Sequence, residues 1–200
     1  MHRAFLVATH NAGKLKEYSE ILGSLGIDFF SLADMGIKLE VDETGITFKE
    51  NAILKSATYA RESGLITLAE DSGLEVDALA GEPGIFTARY GGQGLTSEQR
   101  YMYLLGKLSN LSIEERKARF RCVIAICNPN GGLYGTASGI CEGAIAKEPR
   151  GIGGFGYDPV FLLPEYGLTM AQLDPSDKHA ISHRGRALKA IEPLVQQILS

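Results

Sequence analysis

Long apolar runs are missing from this chain of 200 residues: no stretch reaches the ~18–20 apolar positions that a helix needs to cross a bilayer. Met1-His2-Arg3 and the short apolar run behind it have neither the length nor the cleavage site of a secretion signal. Cysteine is scarce too. Cys122, Cys127 and Cys141 form an odd set without a C-x-x-C spacing, which speaks against a structural zinc site and for a reducing compartment. A cytoplasmic protein with no membrane partner is expected. Positive charge is not in excess, since 20 Lys and Arg face 24 Asp and Glu for a net −4 at pH 7. Binding of nucleic acid by bulk charge is therefore not expected, although a local basic pocket is compatible with that balance. Repeats, low-complexity segments and linkers are absent as well, so residues 1–200 read as one domain.

What is present is an ordinary globular composition, 44% hydrophobic and 22% charged, organised around Ile66-Thr67-Leu68-Ala69-Glu70-Asp71-Ser72-Gly73-Leu74. The apolar start predicts a buried strand. Successive strand residues point to opposite faces, so Glu70 and Asp71 meet only if the chain turns, and Ser72-Gly73 reads as that turn. Two carboxylates and a hydroxyl at a strand end suit a hard cation such as Mg²⁺. The alternative is a solvated acidic turn.

Ala4 to Ala8 predicts a first strand, followed by Thr9-His10-Asn11-Ala12-Gly13-Lys14 and a helix through about Leu25 with Leu15, Tyr18, Ile21 and Leu22 at helical spacing. Strand, polar Gly-Lys loop and helix is the layout of a phosphate cradle, in which backbone N–H groups and a lysine face an anion. It is not a Walker A loop, because Ala8 and Leu15 occupy positions where that motif requires Gly and Ser/Thr. An ordinary turn, with Asn11 as cap and Lys14 in solvent, is the competing reading. Further on, Glu40-Val41-Asp42-Glu43-Thr44-Gly45 is an acidic loop able to bring a carboxylate to a metal, and Thr47 with Glu50 reads as a capping box. Asn51 and Lys55 share a helix face. Phe120, Cys122, Ile124 and Ile126 give a strand with one apolar face, turned back at Asn128–Gly132 into a hairpin. Gly151-Ile152-Gly153-Gly154-Phe155-Gly156-Tyr157-Asp158-Pro159 lets a flat ring approach backbone, with Phe155 or Tyr157 stacking on it. Lys178, His183 and Arg184, ahead of a closing amphipathic helix, suit reading of an anion or a carbonyl.

Phosphate cradle, carboxylate pair, aromatic glycine loop and basic donors together describe a nucleoside triphosphate site. On Ala8-Thr9-x-Asn11-x-Gly13-Lys14, Thr47-Phe48-x-Glu50-Asn51-Ala52, Asp71-Ser72-Gly73-Leu74, Gly84-Ile85-x-x-Ala88-Arg89-Tyr90, Gly153-Gly154-Phe155-Gly156-Tyr157-Asp158-Pro159 and Ser182-His183-Arg184-Gly185, the chain resembles the inosine/xanthosine triphosphate pyrophosphatases that sanitise nucleotide pools. The resemblance spans nearly the whole sequence. It implies an elongated α/β domain with a central mixed sheet flanked by helices and two lobes around a nucleotide cleft, usually as a homodimer. It also implies Mg²⁺-dependent hydrolysis of dITP, ITP or XTP between the α- and β-phosphates. By position it makes Thr9, His10, Asn11, Ala12, Gly13 and Lys14 phosphate-binding, Asp71 the metal-linked proton acceptor and Ser72 a substrate contact. Phe155, Gly156, Tyr157, Asp158, Lys178, His183 and Arg184 then surround the nucleotide and its base. Asp42 is the second metal acid by position, one methylene shorter than the family's usual Glu, with Glu43 or Glu70 as substitutes.

Base choice follows from donors and acceptors. Hypoxanthine and xanthine carry a 6-keto acceptor where adenine carries an amino donor, so a buried Lys, Arg or His donor at that position discriminates by ~10⁴-fold or more. A pyrimidine-nucleotide pyrophosphatase and a non-hydrolysing nucleotide sensor are the competing classes. An oxidoreductase is disfavoured, because no G-x-G-x-x-G follows the first strand.

Overall fold

Phe5–Val7 forms strand β1, and all three residues are buried. The computed structural model describes residues 5–24 and 26–199, with the side chains of 24 and 199 outside it, so the expected strand position Ala4 and helix position Leu25 lie outside the described residues. Helix α1 (Ala12–Ser24) starts inside the Gly-Lys loop rather than after it, and strand β2 (Phe29–Ser31) follows. Helix α2 (Phe48–Ser63) is capped as its sequence predicts. Thr47 Oγ1 accepts from Glu50 N at 3.1 Å, and Gly64 closes the helix in the left-handed region at φ 68°. The Glu50 carboxylate takes the N–H of Ile46 (2.7 Å), so the reciprocal half of the capping box is shifted by one residue.

Strand β3 (Ile66–Val76) corrects the reading of the central stretch. Ser72-Gly73 makes no turn: the strand runs for 11 residues, and Glu70 and Asp71 sit in its middle on opposite faces. The continuing apolar positions Leu74 and Val76, both fully buried, keep the chain extended against the turn preference of Ser-Gly.

Helix α3 (Ser97–Lys107) begins with a complete capping box between Thr96 and Gln99. Strand β4 (Lys117–Cys127) and strand β5 (Leu133–Ile145) form the expected hairpin, closed by Asn128 N donating to Gly132 O at 2.8 Å. Beyond Arg121 both faces of β4 are buried, including Val123 and Ala125, so only its first half shows the expected single apolar face. Strands β6 (Phe161–Leu163) and β7 (Leu168–Thr169) complete a seven-stranded sheet of order β2-β1-β3-β4-β5-β6-β7. β1 runs parallel to β2 and β3, and the β5–β6–β7 edge is antiparallel, so the sheet is mixed as expected. Helix α4 (Pro175–Ile181) carries Lys178 ahead of the closing helix as expected, but His183 and Arg184 open that helix, α5 (His183–Leu199), which runs on through Pro193. No helix among the described residues is long and apolar enough to cross a membrane.

The chain divides into two compact units, Met1–Asp71 with Cys122–Gly139 and Arg184–Ser200, and Ser72–Arg121 with Ile140–His183. In the first, Phe5, Val7, Ile66, Leu68, Cys122, Ile124 and Ile126 cluster with Tyr18 and Leu22 of α1 and Leu188, Ile191 and Val195 of α5. Each such side chain contributes ~1.5–3 kcal/mol by leaving water. Leu6, Ala8 and Ala69 cluster separately with Tyr59 of α2. In the second unit, Leu74, Val76, Phe120, Cys141 and Ile145 pack with Leu104, Leu105 and Leu108, and with Tyr157, Val160 and Phe161. The buried Arg116 guanidinium there donates to Leu108 O and Leu111 O, just past the end of α3, and to Ala146 O at the end of β5.

Candidate active site

Because β3 does not turn, its two acids build two different polar clusters in the first unit. On one face, Asp71 Oδ1 accepts from Lys55 Nζ at 3.0 Å and Oδ2 from Asn51 Nδ2 at 3.2 Å. Asn51 and Lys55 lie one turn apart on α2, so both reach the same carboxylate. Lys55 Nζ also donates to Glu43 Oε1 at 2.5 Å, which brings the acidic loop to Asp71. Asn51 Oδ1 pins that loop through the N–H of Gly45 at 2.8 Å. A Cβ at Gly45 would stand 2.6 Å from Asn51 Oδ1, so glycine is required for this approach. Burial pushes the Asp71 carboxyl up from its ordinary value; Lys55 pulls it down and Glu43 raises it again. For Lys55 burial disfavours the charge, but Asp71 and Glu43 together hold its pKa above normal.

On the other face, Glu70 is held by three side chains through four donor atoms. Arg184 Nε and Nη2 donate in bidentate fashion at 2.7 Å each, Lys14 Nζ stands at 2.9 Å and Tyr18 Oη donates at 2.8 Å. Arg184 also donates to Glu17 at 2.5 Å. Burial alone would raise the Glu70 pKa, but Arg184 and then Lys14 hold it well below the usual carboxylate range. Cys122 lies 3.4 Å from Glu70; burial, then that charge, pushes the thiol up, so it stays a protonated packing residue as expected.

The Gly-Lys loop is a capped helix start. Asn11 Oδ1 accepts from Lys14 N at 3.0 Å and Thr9 Oγ1 from Asn11 N at 3.1 Å, so Asn11 caps as the competing reading has it, while Lys14 is ion-paired rather than in solvent. His10 Nε2 lies 2.9 Å from Leu39 O and 3.3 Å from Tyr59 Oη, and Tyr59 donates to the same carbonyl at 2.9 Å. The cradle is thereby tied to the segment that leads into the acidic loop.

In the second unit, the buried Asp158 carboxylate accepts from Phe155 N at 2.8 Å and Lys178 Nζ at 2.6 Å, and Lys178 Nζ lies 4.9 Å from the centroid of the Phe155 ring. Gly154, at φ 71°, would drive a Cβ into that carboxylate, which explains why the aromatic loop needs glycine there. Tyr157 is buried, with its hydroxyl on Thr87 O at 3.1 Å. His183 stacks on Phe120 with centroids 4.7 Å apart. Ser72 is half-buried in β3, and Gly156 takes a left-handed φ of 62°.

The structure therefore brings Asp71 together with Glu43, Glu70 with Lys14 and Arg184, and Phe155 with Asp158 and Lys178. Asp42 is exposed and joins none of these clusters. Sequence reasoning missed Glu17 and the polar role of Tyr18, although Lys14 and Glu17 stand three apart on one helix, a spacing that marks a shared face. Among the described residues no three His, Cys, Asp or Glu side chains converge on one point.

A mixed seven-stranded sheet flanked by helices, with ion-paired acids on both faces of one inner strand beside a capped Gly-Lys helix start, makes this an α/β protein. The chain belongs to the Ham1 family, whose model matches residues 5–194. It is 46% identical over 192 residues to the dITP/XTP pyrophosphatase of Bacillus licheniformis, covering 96% of this chain and 97% of that one. With the dITP/XTP pyrophosphatase of Geobacter sulfurreducens it shares 49% identity over 187 residues, 94% of each chain. Among solved structures, a HAM1 protein from Coxiella burnetii superposes with a TM-score of 0.87 at 41% identity, covering 98% of this chain and 99% of that one. The Staphylococcus aureus Ham1 protein follows at 0.85 and 38% identity, covering 98% and 100%.

Proposed function

We propose that this protein hydrolyses dITP, ITP and XTP between the α- and β-phosphates, releasing the monophosphate and pyrophosphate. The observation that carries the reading is the Asp71–Lys55–Glu43 cluster, set in a chain nearly half identical to dITP/XTP pyrophosphatases. Two hard oxygen donors already share one cation there, the ammonium of Lys55, so the donor set fits Mg²⁺. Asp71 and Glu43 would hold the metal. Glu43 is preferred to Asp42, which is exposed, and to Glu70, which is engaged by Arg184, Lys14 and Tyr18 on the opposite face. When bound, the metal neutralises phosphate charge and acidifies water.

The protein's own residues do the rest. Asp71 accepts the proton of the attacking water from its fixed place between Asn51 and Lys55. The helix start at Thr9 to Lys14 holds phosphate oxygens through backbone N–H groups and the Lys14 ammonium, with Ser72 as a further contact. Phe155 offers its ring to the base; Gly156, Tyr157 and Asp158 shape the loop, and Lys178 and His183 supply donors for the 6-keto oxygen. Arg184 is committed to Glu70 and Glu17, so its donors reach a base only on exchange of one of these pairs. A cytoplasmic homodimer, acting on a small nucleotide rather than on nucleic acid or at a membrane, completes the reading.

The test is pyrophosphate release from dITP, XTP, dATP, dGTP and dUTP with and without Mg²⁺. Metal-dependent release confined to dITP and XTP is the expected result; release from dUTP indicates a pyrimidine enzyme, and tight binding without release a sensor. Lys14→Ala is expected to raise KM for dITP about tenfold with a smaller change in kcat, since it removes one phosphate charge contact. Unchanged steady-state constants would leave Lys14 with Glu70 as its sole task.

A further inference from the structure

Lys55 stands between Asp71 and Glu43, where a metal held by the same two carboxylates would also bring positive charge. Its ammonium lies 2.5 Å from Glu43 and 3.0 Å from Asp71, with 13% of the side chain exposed. Two carboxylates and one ammonium leave a single negative charge. A divalent cation on the same carboxylates would turn that ammonium into a like-charged neighbour at contact distance, which is strongly unfavourable in a partly dry site. Lys55 then has to leave, and a buried ammonium without an anion is costly. A triphosphate supplies that anion.

The surroundings are built for such an exchange. Asp71 keeps its second oxygen on Asn51 Nδ2 at 3.2 Å, and Asn51 Oδ1 keeps the acidic loop on Gly45 N at 2.8 Å. Both carboxylates therefore stay placed when the flexible lysine stem swings away. We infer that Lys55 is an exchangeable resident cation that makes divalent-metal and triphosphate binding interdependent: it holds the carboxylates together before the metal arrives and passes to the phosphates afterwards. The inference rests on the pyrophosphatase reading for the identity of the anion, and on the Lys55 geometry for the exchange.

The experiment titrates Mn²⁺ into the full-length protein and follows free Mn²⁺ by electron paramagnetic resonance. Titrations run without nucleotide and with saturating α,β-methylene-dITP, correcting for Mn²⁺ held by the nucleotide alone. Without nucleotide, Lys55→Met is expected to bind Mn²⁺ about tenfold tighter than wild type, and to lose most of the gain that the nucleotide analogue gives the wild type. Lys55→Gln, which keeps a hydrogen-bond donor without the charge, gives the same result should the methionine variant fail to fold; Lys55→Arg behaves as wild type. Equal or weaker Mn²⁺ binding by a folded Lys55→Met or Lys55→Gln, or an unchanged gain with the analogue, overturns the inference. Pyrophosphate release from dITP by the wild type is scored separately. Its absence beside tighter Mn²⁺ binding in the variants would remove the pyrophosphatase reading and leave the cation exchange standing.

Discussion

Asp71→Asn is expected to lower kcat for pyrophosphate release by about 10³-fold or more, the scale of losing a general base, while the protein stays folded. The amide matches the carboxylate in shape and its oxygen can still accept from Lys55, while its NH2 replaces the oxygen that accepts from Asn51; it neither accepts a proton nor binds a divalent metal well. Folding should hardly suffer, and the reason lies in the sign of the Asp71 shift. Burial raises its pKa, so the charged form is less favourable in the folded chain than in the unfolded one. That part of the stability improves as pH falls through the raised value and is absent at neutral pH. Removing the charge relieves this penalty and leaves Lys55 paired with Glu43, so unfolding free energy should change by less than ~1 kcal/mol. Steady-state pyrophosphate release and urea unfolding on the same preparation check both halves. Activity within tenfold of wild type would remove Asp71 as proton acceptor; lost activity with lost folding would make it a structural residue instead.

The difference between Asp71 and Glu70 shows what the sequence made legible and what it did not. The helix cap at Thr47 and the hairpin at Asn128–Gly132 were readable, because each is decided by a few neighbouring residues. The mixed sheet and the roles of single site residues came with the family resemblance, not from periodicity. Ser72-Gly73 misled because turn preference is weak beside the burial of Leu74 and Val76. The consequence was a pair of acids expected to meet, where the strand sends them to opposite faces. Glu17 and Arg184, 167 positions apart, could not be paired by any local rule. Glu43 stood beside Asp42 and Glu70 as a candidate, but the order among them was not readable, since neighbouring acids in a loop differ only in which one the fold turns toward Lys55. Strand β7 and helix α4 are too short to carry a periodic signal.

The cluster around Glu70 yields the largest expected effect on stability. Arg184→Met should cost about 3–5 kcal/mol, because it deletes the cation that compensates two buried acids and leaves Glu70 and Glu17 behind. The effect has a pH signature that simple loss of packing lacks. In the wild type, Arg184 and Lys14 depress the Glu70 pKa, so its contribution is complete above the ordinary glutamate value of about 4.3 and fades as pH falls through the lower folded value. In Arg184→Met burial gains on the remaining partners, Lys14 and Tyr18, and the folded pKa of Glu70 rises. The buried charge then destabilises the variant at neutral pH, and protonation relieves it. The gap between wild type and variant should therefore be widest near pH 7 and narrow toward about pH 4. Arg184→Lys keeps the charge but not the two-pronged donation to Glu70, and should lose less at every pH. Urea unfolding of all three proteins across this range is the measurement. A gap that stays constant with pH would mean that Arg184 acts by filling space, and base preference should be tested in Arg184→Lys, whose fold the remaining charge protects.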